Sequence, residues 1–230
     1  AHFSCFEEFY ATVEVYEHRL HAMHSSLSYV DVAEVMGGEG RTTQVLIRRH
    51  YRGGENFDCV LGVDLMRKKD ELELYEYLHR MRPYVLVMAP QCTGMAGWGR
   101  LNKTLNRKTH DMNAAISRHL GVICAKCAKI RMLDNRHWFS EQPRGSDLYQ
   151  LPEWQEVARM PGTTWCYMHM CMAGLISTRG RPLLKPSELW ASHECLLWRF
   201  RRMICRRAHV QDTGEGGGTQ GFRNIGRGSW

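Results

Sequence analysis

The sequence predicts an α/β fold with a mostly parallel sheet covered on both faces. Three observations carry that expectation. From residue 29 onward, short β-rich runs alternate with segments of helical period. Several of those runs are apolar throughout, the texture of strands buried on both faces. The chain has 230 residues, 43% of them hydrophobic and 24% charged, which suits one compact domain plus extensions and excludes wholesale disorder. No apolar run approaches the ~20 residues that span a bilayer, and no basic-then-apolar signal segment opens the chain. No membrane association is therefore expected.

The elements follow in order. Residues 1–28 form an N-terminal extension with Phe6, Phe9, Val13, Tyr16 and Leu20 on one helical stripe. Residues 29–198 carry the α/β pattern. Tyr29–Met36 reads as a strand, Gly37-Gly-Glu-Gly40 interrupts it, and Arg41–His50 reads as helix. Phe57–Val63 is a second strand. Lys68–Met81 is an amphipathic helix through Leu72, Tyr75, Leu78 and Met81, stopped by Pro83. Tyr84–Ala89 is an apolar strand closed by Pro90. A long helix over Thr109–Leu133 faces inward through Ile116, Leu120, Ile123 and Cys127. His137–Ser140 is a strand, Leu151–Arg159 a helix, Thr163–Met168 a strand, and Ser187–Arg202 a last helix. Residues 199–230 are a basic, Gly-rich tail.

Cysteines and charge narrow the setting. Nine cysteines, an odd and scattered set, read as reduced thiols of an intracellular compartment, nucleus or cytoplasm. Cys124 and Cys127 are spaced like a metal pair but lack a second pair. They read as small apolar residues on a helix. His18, His21 and His24 lack accompanying ligands, so no metal is expected. The net charge is +7. Arg199, Arg201, Arg202, Arg206 and Arg207 put five arginines in nine residues, a patch able to neutralise phosphates or to form a solvated helix end. The first residue is Ala1 and the last are Gly228-Ser229-Trp230, which suggests a piece of a longer polypeptide.

Ligands of open α/β sheets bind at the carboxyl ends of the strands. Just past the predicted strands lie Gly37-Gly-Glu-Gly40, then Asp58 and Asp64, then Pro90-Gln-Cys92, then Glu141-Gln-Pro143. Each alone has a structural reading: a tight turn, a helix cap for Asp64, a small buried thiol, a solvated carboxylate. Their order is what resembles a family, the DNA cytosine-5 methyltransferases. Glu34-Val-Met-Gly-Gly-Glu-Gly40 lines up with the family's Asp-Leu-Phe-Ala-Gly-x-Gly, Pro90-Gln-Cys92 with its Pro-Pro-Cys, and Glu141-Gln-Pro143 with its Glu-Asn-Val. The match spans about residues 29–175. The chain is still more similar to methyltransferase-like segments of retroelement polyproteins, through Glu141-Gln-Pro143, Ser146, Trp154, Cys171-Met-Ala-Gly-Leu175 and Gly180-Arg-Pro-Leu-Leu-Lys-Pro186.

The resemblance implies a three-layer Rossmann-like fold of the S-adenosylmethionine-dependent methyltransferases. It implies Cys92 as the nucleophile toward C6 of a flipped cytosine and Glu141 as the group on N3. The cofactor, S-adenosylmethionine, would meet Glu34, Gly37, Gly38, Gly40 and Pro90, with its ribose on Asp58 and its adenine near Asp64. DNA or another nucleic acid is the implied partner, with phosphates on the arginine run. The chain departs from the pattern where Gln91 replaces the second proline, a change expected to slacken the thiol loop. The family's Gln-x-Arg-x-Arg is also missing. Two other readings stand beside this one: a catalytically inactive nucleic-acid-binding retroelement segment, and an unrelated nucleotide-binding α/β enzyme.

Overall fold

The computed structural model describes residues 30–96, 99, 103–206 and 212–213. The expected N-terminal helix, the three N-terminal histidines, Arg207 and the Gly-rich tail lie outside them. The described residues build an α/β domain around a six-stranded sheet. In chain order the elements are β1 (Val32–Val35), α1 (Arg41–Ile47), β2 (Gly53–Phe57), α2 (Lys68–Met81), β3 (Val85–Met88), α3 (Arg107–Leu133), β4 (His137–Pro143), α4 (Pro152–Ala158), β5 (Thr164–His169), β6 (Leu183–Leu184), β7 (Pro186–Ala191) and β8 (Asp212–Thr213). Short 3₁₀ turns follow β2, β4, β5 and β7. The sheet order is β2-β1-β3-β4-β7-β5, and β6 pairs with β8 apart from it. The β1–β2, β1–β3 and β3–β4 ladders are parallel, and β7 runs antiparallel to both β4 and β5.

Register and side-chain alternation sort the core into two faces. Ala33, Leu86 and Trp138 stand side by side in register, and all three are fully buried beneath α2, α3 and α4. An aromatic cluster closes this face. Tyr149 stacks on Trp190 at 4.4 Å, and Trp154 meets Trp138 edge-on at 5.5 Å. The Trp154 indole N–H donates to the Gly121 carbonyl of α3 (3.0 Å), so no polar atom of that ring is left over. On the opposite face Cys166, Met168, Leu189 and Ala191 pack with Leu197, Phe139, Phe200 and Met203. That second cluster fastens residues 197–203 to β5 and β7.

Helix α2 shows why the local sequence folds as it does. Asp70 and Glu71 occupy its first turn and His79 and Arg80 its last, complementing the helix dipole. Arg82 ends it in a left-handed conformation (φ 45°), and Pro83 prevents continuation. The fully buried Arg131 of α3 reaches under this end. Its guanidinium donates to the Leu78 carbonyl at 2.8 Å and pairs with Asp134 at 2.7 Å.

Three sequence expectations are corrected. The second strand is Gly53–Phe57, not Phe57–Val63; residues 59–61 are a 3₁₀ turn. Ser187–Arg202 is not a helix, because β7 occupies Pro186–Ala191 and 3₁₀ turns follow. Sandwiched between β4 and β5, Ser187, Leu189 and Ala191 are buried at strand period, and tertiary pairing overrides helix propensity there. In α2 the inward stripe is Glu71, Leu74, Tyr77 and Leu78, whereas Leu72 is exposed.

Candidate functional site

The chain leaves β1 on one side to form β2, then crosses back over β1 to form β3. That reversal is a topological switch point at the carboxyl ends of β1 and β3, the position at which open α/β sheets have their ligand-binding crevice. Two loops flank it: the glycine loop after β1 and the thiol loop after β3.

The glycine loop is held by buried polar side chains. Glu34, 2% exposed, accepts the Thr43 N–H at 2.6 Å and so caps the start of α1 from inside the strand. Gly37 must lack a side chain, since a Cβ there would lie 2.9 Å from Glu34 Cβ. Gly38 and Gly40 hold φ values of 61° and 70°, which suits residues without a Cβ. The Gly38 N–H donates to Asp58 Oδ2 (2.8 Å) while its carbonyl accepts from Asn56 Nδ2 (2.8 Å). Asp58 Oδ1 also accepts the Val60 N–H at 2.9 Å. Asp58 is thus a loop clamp at the end of β2. The Cys59 thiol also hydrogen-bonds this carboxylate, so of the about four hydrogen bonds a carboxylate can accept one place is left.

Asp64 serves a local purpose. Its Oδ1 accepts the Met66 N–H at 3.0 Å, and its Oδ2 meets Arg67 at 3.3 Å, fixing the turn that enters α2. The side chains exposed beside Asp58 are instead Val60 and Leu61, 63% and 57% exposed, an apolar shelf at the rim of the crevice.

The thiol loop is anchored at four points without the second proline. Pro90 is buried, and its carbonyl accepts from Gln142 Nε2 at 2.6 Å. The Cys92 carbonyl accepts the Met95 and Ala96 N–H groups, both at 3.0 Å. The Gly94 N–H donates to Ser117 Oγ at 3.3 Å, and the Met95 carbonyl accepts the Asp147 N–H at 2.8 Å. Gly94 lies directly on α3: a Cβ would come 2.5 Å from the Asn113 carbonyl carbon. Gln142 and helix packing supply the stiffness that Gln91 does not.

Glu141 lies within β4, which extends to Pro143, rather than just past its end. Its Oε1 accepts from Ser187 Oγ at 2.6 Å and meets Lys185 Nζ at 3.3 Å. The Cys92 sulfur feels both charges. Burial pushes its thiol up from the ordinary range, Lys185 pulls it down, and Glu141 pushes it up. Cys92, Glu141 and Lys185 therefore share one electrostatic environment at neighbouring strand ends.

Sequence reasoning missed Gln142, Lys185, Ser187 and Asn56. Gln142 and Lys185 were visible only as members of Glu141-Gln-Pro143 and Gly180–Pro186. The arginine run is not one uniform patch. Arg201 is forked onto Glu194 (2.5 and 2.7 Å), Arg199 is half-buried over the Trp198 ring at 5.2 Å, and Arg202 and Arg206 are exposed. Residues 201–205 run along β5, from Arg201 on Thr164 to the Cys205 N–H on His169, which brings Arg206 toward the carboxyl rim of the sheet. Cys124 and Cys127 are fully buried on α3. Among the described residues no helix is long and apolar enough to cross a membrane. No protein-family model matches the chain, and no curated protein matches it.

Proposed function

We propose that the domain is a methyltransferase-like module, in the manner of retroelement polyprotein segments, whose crevice takes S-adenosylmethionine and a flipped cytosine of DNA. The observation that carries this reading is the placement of the Cys92 loop: it follows β3, next to the strand that carries the glycine loop, and is tied through Pro90 to Gln142, the neighbour of Glu141 on β4. The strand order supports it, because the switch point separates a cofactor half from a reacting half. The residues fit the cofactor. A Cβ on Gly38 would meet only open space, Asp58, largely spent on the loop itself, keeps one acceptor place for a ribose hydroxyl, and Val60 and Leu61 offer an apolar edge. Bound there, S-adenosylmethionine supplies an electrophilic methyl group.

The chain's own residues do the rest. A cytosine ring is a poor carbon nucleophile at C5. The Cys92 thiolate adds to C6, pushing electron density onto C5, and Glu141 hydrogen-bonds N3 so that the developing ring charge is stabilised. After C5 is methylated, loss of its proton to a base expels the thiolate and restores the double bond. Ser187 and Lys185 hold Glu141 in place, and Gln142 holds the loop that presents Cys92.

Calorimetry with S-adenosylmethionine, followed by trapping on 5-fluorocytosine DNA, tests the reading. A cofactor heat and a covalent adduct lost in Cys92→Ser are expected; absence of both overturns it. A second reading has one observation behind it. Burial holds the Cys92 thiol up, as in a site that binds without reacting. Salt-dependent DNA retention with no cofactor heat would favour that inactive nucleic-acid-binding segment. NAD or ATP bound in preference to S-adenosylmethionine would favour a different nucleotide enzyme.

A further inference from the structure

We propose that Lys185 is the positioning cation of the thiol–carboxylate site: with Ser187 it fixes Glu141 Oε1, and its ammonium is the counter-charge for Cys92 as a thiolate. The backbone at residue 185 is clamped from two sides. The Lys185 carbonyl accepts the Met170 N–H at 3.0 Å, and the Pro186 carbonyl accepts the Arg144 N–H at 3.0 Å. Residue 185 is thereby pinned between the end of β5 and the turn after β4, at the carboxyl rim of the sheet.

From there the side chain reaches Glu141 Oε1 (3.3 Å), the oxygen that also accepts from Ser187 (2.6 Å). Two donors on one oxygen set the carboxylate plane and leave the orientation of Oε2 determined by them. The charged groups acting on Cys92 are Lys185, from the segment before β7, and Glu141, from β4. Glu141 in turn acts on Tyr149, whose hydroxyl is held by Ser140 (3.2 Å). An ammonium and a carboxylate thus act on one sulfur with opposite signs, and both can be removed singly.

The sign of each change follows from Coulomb's law. Without the ammonium, burial and Glu141 act on the thiol unopposed, and thiolate forms at higher pH. Without the carboxylate, burial is the one effect still opposing the ammonium, and thiolate forms at lower pH than in the intact site. A residue that merely propped up the loop would shift both variants in one direction, through altered access of the sulfur.

The test is the pH profile of Cys92 alkylation by iodoacetamide on the full chain, followed peptide by peptide. The thiolate attacks the methylene carbon and iodide leaves, so the rate reports the thiolate fraction. Lys185→Met should move the midpoint up, with alkylation near pH 7 slower by about tenfold for a one-unit shift. Lys185→Arg should restore it, and Glu141→Gln should move it down. An unchanged midpoint in folded Lys185→Met overturns the proposal. So does an upward shift in Glu141→Gln, which needs no lysine variant to fold. The inference rests on the site as read for methyl transfer, yet its assay uses neither cofactor nor DNA. Shifts of the expected signs without any methyl transfer would overturn only the reaction, whereas flat profiles with methyl transfer intact would overturn only the role of Lys185.

Discussion

The two loops that flank the crevice are built on opposite plans. In the glycine loop the acids are spent on the protein itself: Glu34 caps α1 through Thr43, and Asp58 holds Gly38 and Val60. In the thiol loop the backbone is held by others, through Gln142, Ser117 and Asp147. That leaves the side chain of Cys92 under the opposed charges of Glu141 and Lys185. A loop that cradles a bound molecule gains from rigidity alone, whereas a loop that reacts needs rigid backbone and an uncommitted side chain. The difference teaches where substitution should abolish structure and where it should change chemistry.

The sharpest way to break the contrast is Gly94→Ala. The added methyl would be forced against the backbone of α3, which cannot yield as a side chain can. A loss of about 3 kcal/mol or more is expected in urea unfolding, together with disordered access to Cys92. Gly37→Ala should cost less, about 1–3 kcal/mol, because its closest clash is with the Glu34 carboxylate, which can rotate off Thr43, and only Glu34 Cβ at 2.9 Å calls for a small backbone shift. Any S-adenosylmethionine binding should fall with it, while Cys92 alkylation stays unchanged. If Gly37→Ala altered the alkylation profile as Gly94→Ala does, the two loops would not be independent.

Gln142→Leu comes next. It removes the donor on the Pro90 carbonyl and the acceptor for the Ser146 hydroxyl proton, while Ser146 Oγ keeps the Leu148 N–H; a cost of about 1–3 kcal/mol is expected. It should also change the rate of Cys92 alkylation without displacing its pH midpoint, since neither Lys185 nor Glu141 is touched. A midpoint shift equal to that of Lys185→Met would assign the electrostatics to loop position rather than to charge.

The same contrast explains what could be read from sequence. Cys92 and the glycines stand in loops bounded by strong apolar strands, so their positions at strand ends follow from local pattern. Strand β2 escapes the sequence pattern because Gly53-Gly-Glu-Asn-Phe57 is an edge strand with almost no apolar signal. Its burial comes only at Phe57, against Tyr77 at 5.1 Å. Strand β7 reads as helix in the sequence because Glu188, Leu189, Trp190 and Ala191 are compatible with either state, and its pairing partners lie over 15 residues away. Lys185 and Ser187 escaped for that reason. A cation that reaches Glu141 across 44 positions has no local signature, and only the antiparallel entry of β7 between β4 and β5 brings it there. Asp64 shows the converse: its sequence position suggests a helix cap, but α2 starts after Arg67 without a side-chain cap, and Asp64 instead holds the preceding turn through Met66 and Arg67.

The smallest expected effect separates charge that builds the fold from charge left for a partner. Arg201 and Glu194 form a forked pair in which both side chains are about half exposed. Arg201→Ala should therefore change stability by no more than about 1 kcal/mol in urea unfolding, and by less as salt is raised. Because its guanidinium is already matched by Glu194, it should also weaken retention on DNA less than Arg202→Ala or Arg206→Ala, whose side chains are exposed. A phosphate contact from either of the latter should lower the salt slope of DNA binding by about one unit. Equal losses for all three arginines would mean that the Glu194 pair opens on binding, and that the run acts as one patch after all.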